Sequence, residues 1–249
     1  MASRLINNTK TAVLLGGLMG LCLLVGYVAG GRQGLLFGLL FGGMGNIISF
    51  FFSDKIAMAA MGGRELQREE IPWLFDMIER LAQRAGLPMP RVYLCPQPAP
   101  NAFATGRGPS HAAVGVTRGM LEFPRDELEG VLAHELGHVK HRDMLISTIA
   151  AVMAGIISYA GYMLMFFGGG RDSRDNPLGG IGALLMIILA PLAAGLIHMA
   201  ISRQREFAAD SFGGELAGDP LKLANALARL QHGNNHLPTD TNPAFHGLY

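Results

Sequence analysis

The sequence predicts an α+β integral membrane protein, mainly α-helical, in which four apolar spans interrupt a polar domain that carries a small β-sheet. Composition points there first: half of the 249 residues are apolar and 16% are charged, with a mean hydropathy of +0.30. The second observation is four uncharged runs of about 19–24 residues, each long enough to cross a hydrocarbon core of roughly 30 Å at 1.5 Å per residue. The third is the glycine content, 34 residues, which suits close helix packing in lipid better than a water-soluble core.

The first span is 12–30 and the second 34–52, separated only by Gly31, Arg32 and Gln33. A signal peptide would be shorter and would end in a small-x-small cleavage site, so a helical hairpin is expected. Gly16/Gly20, Gly26/Gly30, Gly34/Gly38 and Gly38/Gly42 have the small-xxx-small spacing that lets helices approach closely. They suit packing within the hairpin, with a homo-oligomer contact as the alternative. The third and fourth spans are 144–167 and 178–201. Basic residues set the orientation: Arg4, Lys10, Lys55, Arg64, Arg68, Lys140, Arg142, Arg203 and Arg205 flank spans on one side. Arg32, Arg171 and Arg174 lie on the other. The positive-inside rule places both termini and the polar domain in the cytoplasm.

The chain therefore divides into the hairpin (1–53), a first catalytic segment (54–143), a second membrane pair (144–201) and a last catalytic segment (202–249). In the first polar segment Pro72 opens a helix, Leu74, Met77, Ile78 and Leu81 give its apolar face, and Gly86 stops it. Strands are expected at 91–94, 101–105 and 112–117, the last two around the turn Gly106–Pro109. A helix begins at Asp126. After the fourth span, 203–216 and 220–231 read as helices, with Asp219 capping the second. The stretch from Asn234 reads as loop. A net charge of +1 without a block of like charges gives no sign of a nucleic-acid partner, and none is expected. Cys22 and Cys95 lie in regions of different character, so no structural disulfide is expected.

The run His134-Glu135-Leu136-Gly137-His138 carries the chemistry. Residues four apart share a helix face, so His134 and His138 can both point an imidazole nitrogen at one zinc ion. Glu135, one position round, can take a proton from the water that zinc activates. His141 lies roughly 10 Å along the axis from His134, too far to join both. The metzincin pattern, with Gly three and His six residues beyond the second histidine, also fails, because those positions are His141 and Met144. The third ligand expected is Glu206: the histidines precede span three and Glu206 follows span four, so two crossings return the chain to the same membrane face. Asp210, one turn on, can accept the second N–H of a zinc histidine, His134. His232, His236 and His246 are candidates for stabilising an oxyanion, and His198, near the end of span four, is expected to face the catalytic domain or the membrane surface rather than serve a proton path. A membrane scaffold or transporter with a vestigial zinc site is the non-enzymatic alternative; Glu135 speaks against it, because a structural site needs no base.

These motifs, with Asn101-Ala102-Phe103-Ala104-Thr105-Gly106 and Ser202-Arg203-Gln204-Arg205-Glu206-Phe207-Ala208-Ala209-Asp210, resemble those of the HtpX family of membrane proteases, relatives of the CAAX prenyl proteases. The resemblance implies a zincin-like (gluzincin) catalytic domain and one Zn2+ held by His134, His138 and Glu206. It implies Glu135 as base, Asp210 behind the ligands, and Asn101, Ala102, Phe103 and Ala104 as an edge strand on which an extended substrate adds. It further implies stress-linked quality control of misfolded membrane proteins at the cytoplasmic side of a bacterial inner membrane. Family members continue to a His-Pro-Pro segment; this sequence ends at Tyr249 without one, which predicts C-terminal truncation.

Overall fold

The structure is a computed structural model that describes residues 2–144 and 203–233. Beyond Met144, the expected spans 144–167 and 178–201, with His198, lie outside the described residues. So does the stretch from Asn234, with His236 and His246.

The first helical element, α1 (Ala2–Phe51), folds back on itself. At Gly31 φ is +57°, a conformation that glycine adopts without the penalty an L side chain meets. The two arms then run close together. A methyl on Gly34 would stand 1.9 Å from the Gly26 carbonyl oxygen, and one on Gly38 would stand 2.4 Å from that of Cys22. Asn46 Nδ2 donates to Leu15 O at 3.0 Å, tying the far ends of the arms. Gly16 and Gly20 stand clear, with nothing within 4 Å of a built Cβ. Among the described residues no single helix is long and apolar enough to cross a membrane. The segments Gly31–Ile48 and Ser53–Ala60 pass that test only together, bent by 82°. Glycine and polar flanks dilute the first arm, which leaves only Leu15–Leu24 as a short apolar stretch.

The bend leads into α2 (Ser53–Ala60) and then β1 (Arg64–Glu65), a two-residue strand too short and polar to be read from alternation. Helix α3 (Pro72–Ala85) buries Leu74, Met77, Ile78 and Leu81 as its spacing predicts, and Gly86 ends it in the left-handed conformation. Strands β2 (Arg91–Cys95), β3 (Ala102–Thr105) and β4 (Ala113–Thr117) complete a four-stranded sheet in the order β1-β2-β4-β3. β2 runs parallel to β4, while β1 pairs antiparallel with β2 and β3 antiparallel with β4. β3 is therefore an edge strand of the sheet. The sheet and α3 share one core with α4 (Arg125–His141), α5 (Arg203–Ala217) and α6 (Leu221–Gly233), built around Ile78, Val92, Val114, Leu128, Leu132 and Ala226. Leu221 N donates to the Asp219 carboxylate at 2.9 Å, the cap expected for α6.

The hairpin meets this domain through a polar cluster. The Arg91 guanidinium pairs with Asp54 of α2 and donates to Tyr93 Oη at 3.2 Å. Tyr93 in turn donates to Glu65 at 3.0 Å. Arg107, in the β3–β4 connection, lies over the Phe51 ring at 4.9 Å from its centroid.

Candidate metal centre

The histidine helix, α4, is pressed against α5 and α6 by missing side chains. A methyl on Gly137 would meet the Ala209 backbone of α5 at 3.1 Å, and one on Gly213 would meet His134 N at 2.8 Å. On the α6 side, a methyl on Gly130 would stand 2.5 Å from Leu223 N. Ion pairs hold the same contact: Arg229 grips the buried Glu127 through two bonds of 2.6 and 2.7 Å, and Lys222 reaches Glu129 at 2.6 Å. Bidentate pairing fixes orientation as well as distance. The α4–α5 approach at Gly137 and Gly213 sets the start of α5, with Glu206, beside the histidines.

His134 Nε2 and His138 Nε2 are 3.1 Å apart, with the rings at 84° to each other. Glu206 Oε2 lies 3.7 Å from the first nitrogen and 3.6 Å from the second. Donors about 2.0–2.1 Å from a tetrahedral ion stand about 3.3–3.4 Å from one another. The observed triangle closes on that geometry, and these three residues form a cluster able to hold a metal ion. Two imidazole nitrogens facing each other at this distance are better understood as two ligands aimed at one point than as a hydrogen bond. The donor set of two nitrogens and one carboxylate oxygen suits zinc and leaves a fourth position open.

Each histidine has a carboxylate behind it. Asp210 Oδ1 is 2.8 Å from His134 Nδ1, yet the approach lies off the N–H axis and does not complete a hydrogen bond. The Asp210 side chain is 48% exposed. His138 Nδ1 makes a 3.1 Å hydrogen bond with Asp143, a residue that helical spacing from the motif does not point to. Its signal is faint: a carboxylate two residues past the helix end, where a left-handed turn folds it inward.

Glu135 projects beside the metal triangle, and its Oε2 accepts the Ala104 N–H at 2.9 Å. It keeps some surface open towards the site while the surrounding protein strips away most water. That burial pushes its carboxyl above the usual carboxylate range, against the pull of both histidines and the Ala104 N–H. The neighbouring His138 imidazole holds the Glu206 carboxyl below its usual range, against the effect of burial. Burial alone would lower His138; Asp143 and Glu206 beside the ring and the Glu135 charge outweigh it and push it up to about 10 in the metal-free chain.

The other expected site residues fall as follows. Ala102 and Ala104 turn their side chains into the main core, and Phe103 into a smaller cluster with Met58, Met61 and Cys95. Asn101 N and O are both engaged by Thr117. What β3 offers near Glu135 is therefore backbone. His141 turns away and packs edge-on against Phe212, with ring centroids 5.7 Å apart.

Residues 68–246 match the model of peptidase family M48. A protease HtpX homolog of Sulfurihydrogenibium sp. (strain YO3AOP1) is 53% identical over 230 residues, covering 90% of this chain and 78% of that protein. Another, of Aquifex aeolicus (strain VF5), is 46% identical over 238 residues and covers 92% and 79%. A crystal structure of S. mikatae Ste24p superposes with a TM-score of 0.53 at 20% identity, covering all of this chain and 64% of that one; that likeness concerns the fold alone. Together with the His–His–Glu cluster, these matches place the chain in peptidase family M48, as a metalloprotease of the HtpX type.

Proposed function

We propose that the chain is a membrane-bound zinc endopeptidase, with one zinc per chain held by His134, His138 and Glu206, that cleaves misfolded membrane proteins at the cytoplasmic face. The observation that carries this is the meeting, at one point, of the ligand triangle, the Glu135 carboxylate and the backbone of edge strand β3.

When bound, the zinc would polarise a peptide carbonyl and acidify a water molecule. Glu135 then does the proton work. Its raised pKa makes it a stronger base than an exposed glutamate. The Ala104 N–H holds Oε2, which leaves Oε1 to accept the proton from water and pass it to the leaving amine. In an antiparallel pair, alternate residues turn N–H and C=O away from the partner. Ala104 does so towards Glu135, and Ala102 shares its outward direction. A substrate lying along this edge would be held through main-chain hydrogen bonds with little demand on its sequence, which suits a protease acting on varied unfolded segments.

The membrane assignment draws on the hairpin. Leu36, Phe37, Leu40 and Ile47 are each at least 60% exposed on its second arm, a surface that costs far less in lipid than in water. The basic residues flanking the expected spans favour the cytoplasm for the catalytic domain. The test is metal analysis of the detergent-purified chain, joined to cleavage of casein. One zinc per chain and cleavage abolished in Glu135→Gln are expected; full activity in that variant would refute the mechanism.

A further inference from the structure

Helix α4 ends in an unusual turn. Arg142 adopts φ 58° and ψ 38°, and among the described residues it is the non-glycine residue with positive φ. An L side chain takes this conformation only at a cost, and such residues gather where function requires them. Here the turn sends Asp143 N back to His138 O at 3.3 Å and folds the Asp143 side chain under the His138 ring. That carboxylate is 2% exposed, and its Oδ1 is 3.1 Å from His138 Nδ1. Arg205 is buried at 9% exposure, and this burial disfavours its charge more than the nearby Asp143 and Glu206 carboxylates favour it.

We infer that Asp143 is the positioning residue for His138, accepting its Nδ1–H so that Nε2 keeps a free lone pair directed at the metal. A ligating histidine whose second N–H is held by a carboxylate has its tautomer and ring plane fixed and its basicity raised. Asp143 is better placed for this than Asp210, whose side chain is 48% exposed and off the N–H axis. The inference rests on the proposed metal site but reaches beyond it, because the ligand triangle alone does not say which carboxylate orients it. The competing role is purely structural: a buried carboxylate that caps the end of α4.

The test uses the full chain in detergent and measures zinc affinity by chelator competition for four proteins: the unaltered chain, Asp143→Asn, Asp210→Asn and Glu127→Gln. The last removes a buried carboxylate of the same helix, paired to Arg229 and remote from the ligands. Asparagine keeps the shape of Asp143, so the fold is retained. Asp143→Asn is expected to weaken zinc binding about 10- to 100-fold, more than Asp210→Asn, with Glu127→Gln unchanged within about twofold. The visible spectrum of the cobalt-loaded chain should shift in Asp143→Asn alone among the Asp143 and Glu127 variants, since a capping role would leave the ligand field untouched. Unchanged affinity and spectrum in Asp143→Asn, with only a lower melting temperature, would overturn the assignment. So would an equal loss in Glu127→Gln, or a larger one in Asp210→Asn. If the unaltered chain takes up no zinc, the metal reading itself fails, an outcome distinct from uptake that Asp143→Asn leaves unchanged.

Discussion

Substituting Gly213 by alanine tests whether the α4–α5 contact is what assembles the site. A methyl there would stand 2.8 Å from His134 N and 2.9 Å from His134 Cα. Ordinary carbon contacts begin near about 3.5 Å, so the helices must part locally by about 0.6–0.7 Å. The obstacle is backbone, which cannot step aside as a rotamer does. Overpacking of this kind costs about 1–3 kcal/mol, and the better helix propensity of alanine returns about 0.8–1.0 kcal/mol. The net loss is about 0–2 kcal/mol against the unaltered chain and about 1–3 kcal/mol against a variant with the same gain in propensity, the latter a difference of roughly 2–12 °C for a chain of this size. Glu206 lies two turns earlier on the same helix, and its oxygen is already 3.6–3.7 Å from the two nitrogens. Functional constellations tolerate about 0.5 Å of error, so zinc affinity should fall about tenfold. Gly214→Ala is the control, with the same gain in propensity. Its methyl meets only Pro220, at 3.2 and 3.6 Å, a ring that can yield slightly. Melting followed by circular dichroism and zinc affinity by chelator competition decide the matter. If Gly213→Ala melts as high as Gly214→Ala and binds zinc as tightly as the unaltered chain, close helix packing is not what places Glu206.

Other outcomes follow from the same geometry. Glu206→Gln removes the anionic ligand, and zinc affinity should fall by at least about tenfold, while Glu135→Gln, which removes no ligand, should keep its zinc and lose cleavage. In the metal-free chain His138 titrates near 10, above its free value near 6.5. It therefore stabilises the metal-free fold fully below about pH 6.5, and that contribution disappears as pH rises through about 10. Zinc must expel the same proton, so affinity should rise with pH across 7–9, with about one proton released from this residue. Calorimetry in two buffers of different ionisation heat would detect it, and zinc uptake without proton release at pH 8 would contradict it. In the hairpin, a Cβ on Gly42 sits 2.7 Å from Cys22 Cβ, short of the usual 3.5–4.5 Å of a disulfide by an amount that a small slide of the arms restores. Gly42→Cys should form an intrachain disulfide with Cys22 on mild oxidation, visible as a mobility shift on a non-reducing gel. Gly20→Cys, on the open face, should not.

The parts of the fold legible in the sequence are those where one local rule decides. Helix α3 announced itself through Pro72, four apolar residues at helical spacing and Gly86, and β2, β3 and β4 lie within a residue of the expected runs. The reversal at Gly31 was legible for the same reason. Strand β1 was not, because two exposed polar residues, Arg64 and Glu65, carry no alternation; their pairing with Leu94 and Tyr93 is imposed by the neighbouring strand. The order β1-β2-β4-β3 was equally hidden, since nothing in the residues of β2 or β4 alone specifies a parallel partner.

The site divides along the same line. His134, His138 and Glu135 could be read from helical period alone, and Glu206 from the two expected crossings that would return the chain to its starting side. Their orienting partners could not be treated alike. Asp210 is found by the same i, i+4 rule that pairs it with Glu206, and helix geometry does bring it to 2.8 Å from His134. Asp143 follows no such rule, because it lies beyond the helix and reaches His138 only through the left-handed turn at Arg142. The residue that periodicity points to is the exposed, off-axis partner, and the one that periodicity misses is buried and aligned. A regular helix face places ligands well, but a buried carboxylate needs chain on every side to hold it, and irregular backbone just past a helix end provides that enclosure. If Asp143 orients His138 as inferred, the precision of the candidate metal centre depends on the turn that ends α4 as much as on the motif within it.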